Sequence, residues 1–517
     1  MEAFTLDLES NFSQKKIKKK LFPDFKLSKS DYFLGGFLFL FCNISLVHAD
    51  IYLIGWSSLN FLFGNPLEFY ENCRHFLTAG SSPAAGYPPT TFAIFAAWLY
   101  PFKALGLIKS PLYLPTYLVY WLKSLTFIFY IATGNIFYKI TQIYCPDKLW
   151  GKYATWVWLT APMALFSQAI VSQTDIFYLF FTLMGFLFFL RKKIYLASVI
   201  FSIAITFKYF PLFVFLPLLF FYEKKILKLI LCLSIFCIPL LLVKLLYGQS
   251  PAFVEGVLNF FALPRVFSSS MDVGGIKVYG LFLSFAILLG VSYSLNSENK
   301  NSLRIAAYIF LVSSILPFLF MLCHPGWVIF FTPAIVLTTM LESKEKIKQF
   351  FLLDLIGLLT FLVFIWVLFQ DNVDSAMFQS SIFHISFNNH YKLANFFTLD
   401  GNILTSAGIF FSGFIAYLCL QIILKYPYSS ITNQIDNKVC FYKNIRIRYY
   451  FSLLIFIIPV LLVVYISHTS KYIHSETNSN GFCIASLKDY TVGDKIIARC
   501  PIFSLISEFI SNKNKLS

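Results

Sequence analysis

Asp50 is the residue of greatest chemical consequence in this chain of 517 residues. It follows the first long apolar run, Tyr32 to Ala49, and opens an amphipathic stretch that closes on Gly86-Tyr87-Pro88-Pro89. An ionisable group at a membrane edge is costly to keep dry and marks a functional site by default. A carboxylate there suits general-base chemistry on a hydroxyl that arrives partly from lipid. It equally suits the cap of an interfacial helix, because Asp at a helix start accepts backbone donors.

A short list of other polar residues shares the same predicted face. Lys208, in Lys208-Tyr209-Phe210-Pro211, interrupts an apolar hairpin far from the basic loops. A cation at that depth needs an anion, from the protein or from a ligand phosphate, unless it snorkels to the interface. His324-Pro325-Gly326-Trp327 joins two apolar spans, where the imidazole could hydrogen-bond a phosphate or serve as an ordinary loop residue. Ser172-Gln173-Thr174-Asp175 opens a span that ends at Arg191-Lys192-Lys193, so Gln173 and Asp175 fall at the outer mouth; capping by Thr174 or Asp175 explains them as well. Arg265 and Lys277 flank the loop Ser268 to Gly275, which could fold over an anionic head group or simply be solvated. Arg74 and His75 carry the same ambiguity.

Metal and cofactor chemistry find little support. His384 and His390 flank Asn388-Asn389 without a clear third ligand. The ten cysteines show no metal spacing. A divalent cation is therefore not supported, and no metal ligand is assigned. Cys483 and Cys500 lie in the polar tail, where a disulfide forms only if that tail faces an oxidising compartment. The absence of a P-loop, a dinucleotide fingerprint and a Gly-x-Ser-x-Gly elbow argues against ATP-driven pumping and serine hydrolysis.

The elements that must position these residues are membrane helices. The chain is 58% hydrophobic and only 13% charged, about half the charged fraction of soluble domains. Apolar runs of about 17–25 residues recur from Phe33 to Ser467, without the period-two alternation of an outer-membrane barrel. The expected fold is all-α: a polytopic bundle of about 11–14 spans with amphipathic interfacial helices in the first outer loop. The net charge of +16 gathers in short loops, which reads as positive-inside topology and attraction to membrane lipids, not as nucleic-acid binding. Residues 1–31 form a basic cytoplasmic leader, with no cleavable signal peptide before the first helix. Residues 32–341 form the main transmembrane module, 342–467 add helices around an outer loop at 371–401, and 468–517 form an outer tail. Asp50 to Gly86 is an outer loop whose helix ends at Gly64-Asn65-Pro66. The first helix is expected over Phe33 to Ala49, and Tyr195–Phe207 with Leu212–Tyr222 as a shortened hairpin. Topology does not close between Thr90 and Tyr138: either Pro89–Leu107 does not fully cross, or Leu112–Tyr138 crosses twice.

Taken in order, these residues resemble a family. Asp50 follows the first helix; then come Gly64-Asn65-Pro66, Phe69-Tyr70, Tyr87-Pro88-Pro89, Gln173-Thr174-Asp175, Lys208-Tyr209-Phe210-Pro211, and His324-Pro325-Gly326-Trp327 with Pro333. The string is similar to the GT-C superfamily of polytopic glycosyltransferases, and within it to the bacterial polyprenyl-phosphate-sugar-dependent group that includes family 87 mannosyltransferases. The resemblance runs from about Phe33 to Leu341; each motif is short, and their order and common face carry it. It implies a polyprenyl-phosphate sugar as donor, a lipid, glycan or protein hydroxyl as acceptor, and transfer at the outer face of the bacterial plasma membrane. It implies Asp50 as the general base, Lys208, His324 and Arg265 as holders of the donor phosphate, and Tyr87, Gln173 and Asp175 as shapers of the pocket. The chain departs from many relatives in lacking a second acidic residue close to Asp50, the nearest in sequence being Glu68 and Glu71. A transporter or flippase of a lipid-linked saccharide, or a non-catalytic subunit of glycan assembly, stands as the alternative.

Overall fold

The computed structural model describes residues 27–76, 85–111, 114–172, 174–259, 270–299, 301–320, 324–341, 354–361, 413, 447–458, 461, 482–485 and 496–499. Residues 1–26 of the expected leader, Gln173, Arg265, the loop expected over 371–401, His384, His390, Cys500 and most of the span expected over Ile403–Leu424 lie outside them.

Described residues are mostly helical. In chain order the helices are α1 (Lys29–Ser45), α2 (Ala49–Phe63), α3 (Phe69–Phe76), α4 (Pro89–Ala104), α5 (Thr116–Tyr144), α6 (Lys148–Leu159), α7 (Asp175–Leu190), α8 (Ile194–Ile205), α9 (Pro211–Tyr222), α10 (Ile226–Tyr247), α11 (Gly280–Ser294), α12 (Ser302–Phe320) and α13 (Thr332–Met340). Among the described residues, helices α10 and α12 are long and apolar enough to cross a membrane, up to four if the bent pairs α1 with α2 and α6 with the segment after it each count as one span. Helices α7, α8, α9 and α11 are apolar but shorter, within 10–17 residues. Along α10, Leu227, Ile230, Leu231, Leu241, Leu242 and Leu245 are all exposed, an apolar surface too continuous for water and suited to lipid.

The expected hairpin is present as α8 and α9. The stretch between Leu112 and Tyr138 does not turn back: α5 is one helix of 29 residues, so the doubtful region contributes two helices, α4 and α5. A second difference lies in the Gly/Ser loop before α11. It holds a β-hairpin, β1 (Ser270–Val273) paired antiparallel with β2 (Ile276–Tyr279), Asp272 opposite Lys277. Gly274 and Gly275 make its turn at φ 61° and 83°, left-handed values that glycine accepts without strain.

Phenylalanine supplies much of the core, which contains ring pairs such as Phe215–Phe236 at 4.3 Å and Phe186–Phe310 at 4.6 Å. Helix α7 lies among α5, α8 and α9, while α4 packs on α2. A second, smaller core ties residues 69–92 to residues 247–258 through Phe69, Tyr70, Cys73, Phe92, Tyr247 and Phe253. Polar bonds reinforce it: Glu71 Oε1 accepts from Ser250 Oγ at 2.7 Å and from the Ala252 N–H at 2.9 Å. Arg74, a candidate for anion binding, instead pairs with Glu255 at 3.3 Å.

Helix α1 approaches α6 closely at Gly35, where an added Cβ would meet Trp156 Cζ2 at 2.7 Å and Thr160 Cγ2 at 2.9 Å. Gly35→Leu should therefore cost about 1–3 kcal/mol through overpacking, seen as a lower melting temperature in detergent. Gly36→Ala is the control, since nothing lies within 4 Å of its Cβ.

Candidate active site

The site begins with a break in the chain. Helix α1 stops at Ser45, four residues earlier than expected, and Leu46 is extended. Two residues of α5 hold the freed carbonyls: Lys123 Nζ donates to Leu46 O at 2.6 Å and Tyr120 OH to Ile44 O at 3.1 Å. Lys123 is a buried ammonium in an apolar helix, and binding a carbonyl at a helix C-terminus satisfies part of its need for acceptors. Helix α2 then starts in a new direction. Its N-cap is His48, whose Nδ1 accepts from the Asp50 N–H at 3.2 Å. Asp50 is thus not the cap. It lies in the first turn, where the helix N-terminus favours a negative charge, and its side chain is 24% exposed.

His324 meets this carboxylate from the other end of the module, with Nε2 at 3.3 Å from Asp50 Oδ2. The direction of that contact follows from the backbone. His324 caps the 3-10 turn Pro325–Phe330, its Nδ1 accepting from the Gly326 N–H at 3.1 Å. A neutral imidazole that accepts at Nδ1 carries its proton on Nε2, so an N–H faces Asp50. His48 behaves differently. Its Nδ1 is also an acceptor, and it stands 3.6 Å from Asp50 Oδ1 without a proton to offer. The turn bearing His324 is itself seated: Ser167 Oγ donates to Gly326 O, and Trp158 Nε1 donates to Thr332 Oγ1 at 3.0 Å.

Among the described residues, His48, Asp50 and His324 are the three metal-capable side chains that converge, their ligand atoms all within 4.8 Å of one another. Two imidazoles and a carboxylate are a usable donor set for a divalent transition metal. Here, however, both Nδ1 lone pairs accept backbone N–H groups. A cation on His324 Nε2 would displace the proton and oppose Nδ1–H to Gly326 N–H. In this arrangement the trio orients a carboxylate; it does not present lone pairs to a metal.

Lys208 sits in the turn between α8 and α9. The anion its depth demands is supplied by the protein: Nζ is 2.5 Å from Asp175 Oδ1. Asp175 opens α7, just after Ser172 adopts a left-handed backbone at φ 53°. Such a φ is uncommon outside glycine; the Ser172 hydroxyl supports it by donating to Gln168 O at 3.0 Å. Aromatic rings surround the ammonium: Trp327 at 4.7 Å, Tyr87 at 5.3 Å, Tyr178 at 5.7 Å and Phe210 at 5.8 Å from Nζ to ring centroid. Such faces attract a cation. Tyr87 is held by Tyr70, its carbonyl accepting from Tyr70 OH at 2.8 Å.

The two halves are one site. Asp50 lies within electrostatic reach of Lys208, Asp175 and Tyr87, and one 3-10 turn places His324 on Asp50 and Trp327 on Lys208. The fold therefore gathers Asp50, Tyr87, Asp175, Lys208 and His324. Gln173 and Arg265 are outside the described residues, and Lys277 is exposed on β2. Asp175 is the second carboxylate that the chain near Asp50 lacks. His48, Lys123 and Tyr178 were not foreseen; Trp327 was visible in its motif, without an assigned role. No family model matches the chain, and no curated protein matches it significantly.

Proposed function

We propose that this chain is a polytopic membrane glycosyltransferase of the GT-C type, with about 11–14 crossings and its site at the outer face of the plasma membrane. It moves a hexose, such as mannose, from a polyprenyl-phosphate donor to a hydroxyl on a lipid, glycan or protein. The observation that carries this proposal is the partly exposed Asp50 carboxylate facing His324 Nε2, within electrostatic reach of Lys208 and the aromatic rings around its ammonium.

Asp50 accepts the proton of the acceptor hydroxyl as its oxygen attacks the anomeric carbon. The bond from that carbon to the phosphate oxygen breaks, and polyprenyl phosphate leaves with the electron pair. Lys208, joined by Arg265, neutralises the charge that grows on the phosphate. Trp327 and Tyr87 supply apolar faces for the sugar ring, while Gln173 and Asp175 shape the pocket. His324, which the resemblance implies as a phosphate ligand, serves in this proposal to orient the base.

The test combines the purified full chain with synthetic polyprenyl-phosphate hexoses and a membrane lipid extract, following both polyprenyl phosphate release and sugar on the acceptor. Transfer from one hexose donor is expected. Movement of the donor across vesicles without cleavage of the sugar–phosphate bond would instead identify a flippase. His324→Phe should lower kcat by about 10–100-fold, the value of one hydrogen bond to a charged group, with KM for the donor little changed. His324→Gln, which keeps an N–H donor, should recover part of that rate.

A further inference from the structure

The ion pair at the base of the site has a consequence for what Lys208 can bind. Asp175 is fully buried against the ammonium, and the Lys208 side chain is 12% exposed. An incoming anion therefore meets a cation that already has a carboxylate partner. Asp50 and Asp175 thus set two carboxyl groups against the one amine of Lys208. Low dielectric magnifies each of these interactions.

We propose that Asp175 is an affinity-setting residue, a fixed competitor that weakens the hold of Lys208 on phosphate and so lets the polyprenyl phosphate product leave. The inference rests on the phosphate-linked donor proposed above. The donor, a phosphodiester, carries one negative charge. The released phosphomonoester carries more, about −1.5 to −2 near neutral pH. An unopposed buried lysine would hold that product more tightly than the donor and trap it. A carboxylate fixed 2.5 Å from the ammonium reduces the attraction for both, and most for the more highly charged species, because Coulomb energy scales with the charge. The aromatic faces around Nζ keep the ammonium in place when an anion draws on it.

Farnesyl phosphate is a usable probe, with farnesol and inorganic phosphate separating the contributions of tail and phosphate. Calorimetric titration of the purified full chain should show farnesyl phosphate binding, weaker binding of inorganic phosphate, and loss of the phosphate contribution in Lys208→Met. Asp175→Asn should bind farnesyl phosphate on the order of tenfold more tightly than the unmodified chain, and the affinity for farnesol should not change. In the double variant Asp175→Asn with Lys208→Met, the gain should vanish. Asp175→Ser, which leaves room for a water, replaces Asp175→Asn if the latter does not fold. Equal or weaker binding in a folded Asp175 variant overturns the proposal and makes the carboxylate a structural support. Equal binding by the unmodified chain and Lys208→Met instead rejects the phosphate site itself, and with it this role.

Discussion

Asp50→Asn should lower the rate of sugar transfer by about 10²–10⁴-fold, the usual worth of a positioned general base, while the protein keeps its fold. The substitution is nearly isosteric and spares the contacts to both histidines. The backbone N–H of residue 50 still donates to His48 Nδ1. The amide oxygen still accepts from His324 Nε2, 3.3 Å away from the carboxylate in the native chain. With 24% of the side chain exposed, no fully buried charge is lost, so the melting temperature should move by no more than about 2 °C. What disappears is basicity. The effect belongs in kcat, measured under single-turnover conditions, with donor KM little changed. A rate within tenfold of the unmodified chain at equal folded protein would remove Asp50 from the proposed chemistry. The contrast with His324→Phe separates base from support, because that change leaves the carboxylate in place and removes one donor to it.

Much of the site was readable because charge in an apolar chain is rare. Asp50, Lys208 and His324 stood out as polar residues at the edges of apolar runs, and the fold brings all three together. The parts that were not readable depend on contacts distant in sequence. The end of α1 looked like Ala49 because the apolar run continues; the break at Leu46 is held by Lys123 and Tyr120, 77 and 76 residues away from their acceptors. Hydropathy cannot see such bonds. Lys208 was known to need an anion, but its partner, 33 residues earlier, looked like a helix cap. The proton on His324 Nε2 is fixed by a turn whose backbone geometry no residue type announces. The β1–β2 hairpin had a local signal, Gly274-Gly275 between short β-prone strings, which the polar composition of the loop masked.

Arg448→Met should destabilise the protein by about 3–5 kcal/mol, the cost of leaving a buried charge without its partner. Arg446-Ile447-Arg448 is a short basic run of the kind expected in a polar loop. The structure instead buries it completely, its Nε 2.6 Å from Asp354 Oδ2, and Asp354 is only 3% exposed. These residues come from helical segments 354–361 and 447–458, beyond the module that holds the site, and the pair joins them. Removing the guanidinium strands the carboxylate in a medium that solvates it poorly. Removing both charges is different. Asp354→Leu with Arg448→Met exchanges a desolvated pair for apolar contacts, a replacement that is often neutral or stabilising. The double variant should therefore melt near the native temperature in detergent, while Arg448→Met and Asp354→Leu alone melt well below it. Additive losses in the double variant would mean that the two residues act apart. Rescue would show that the two charges are coupled across the two segments and that each is costly only without its partner, and transfer activity should follow the same recovery.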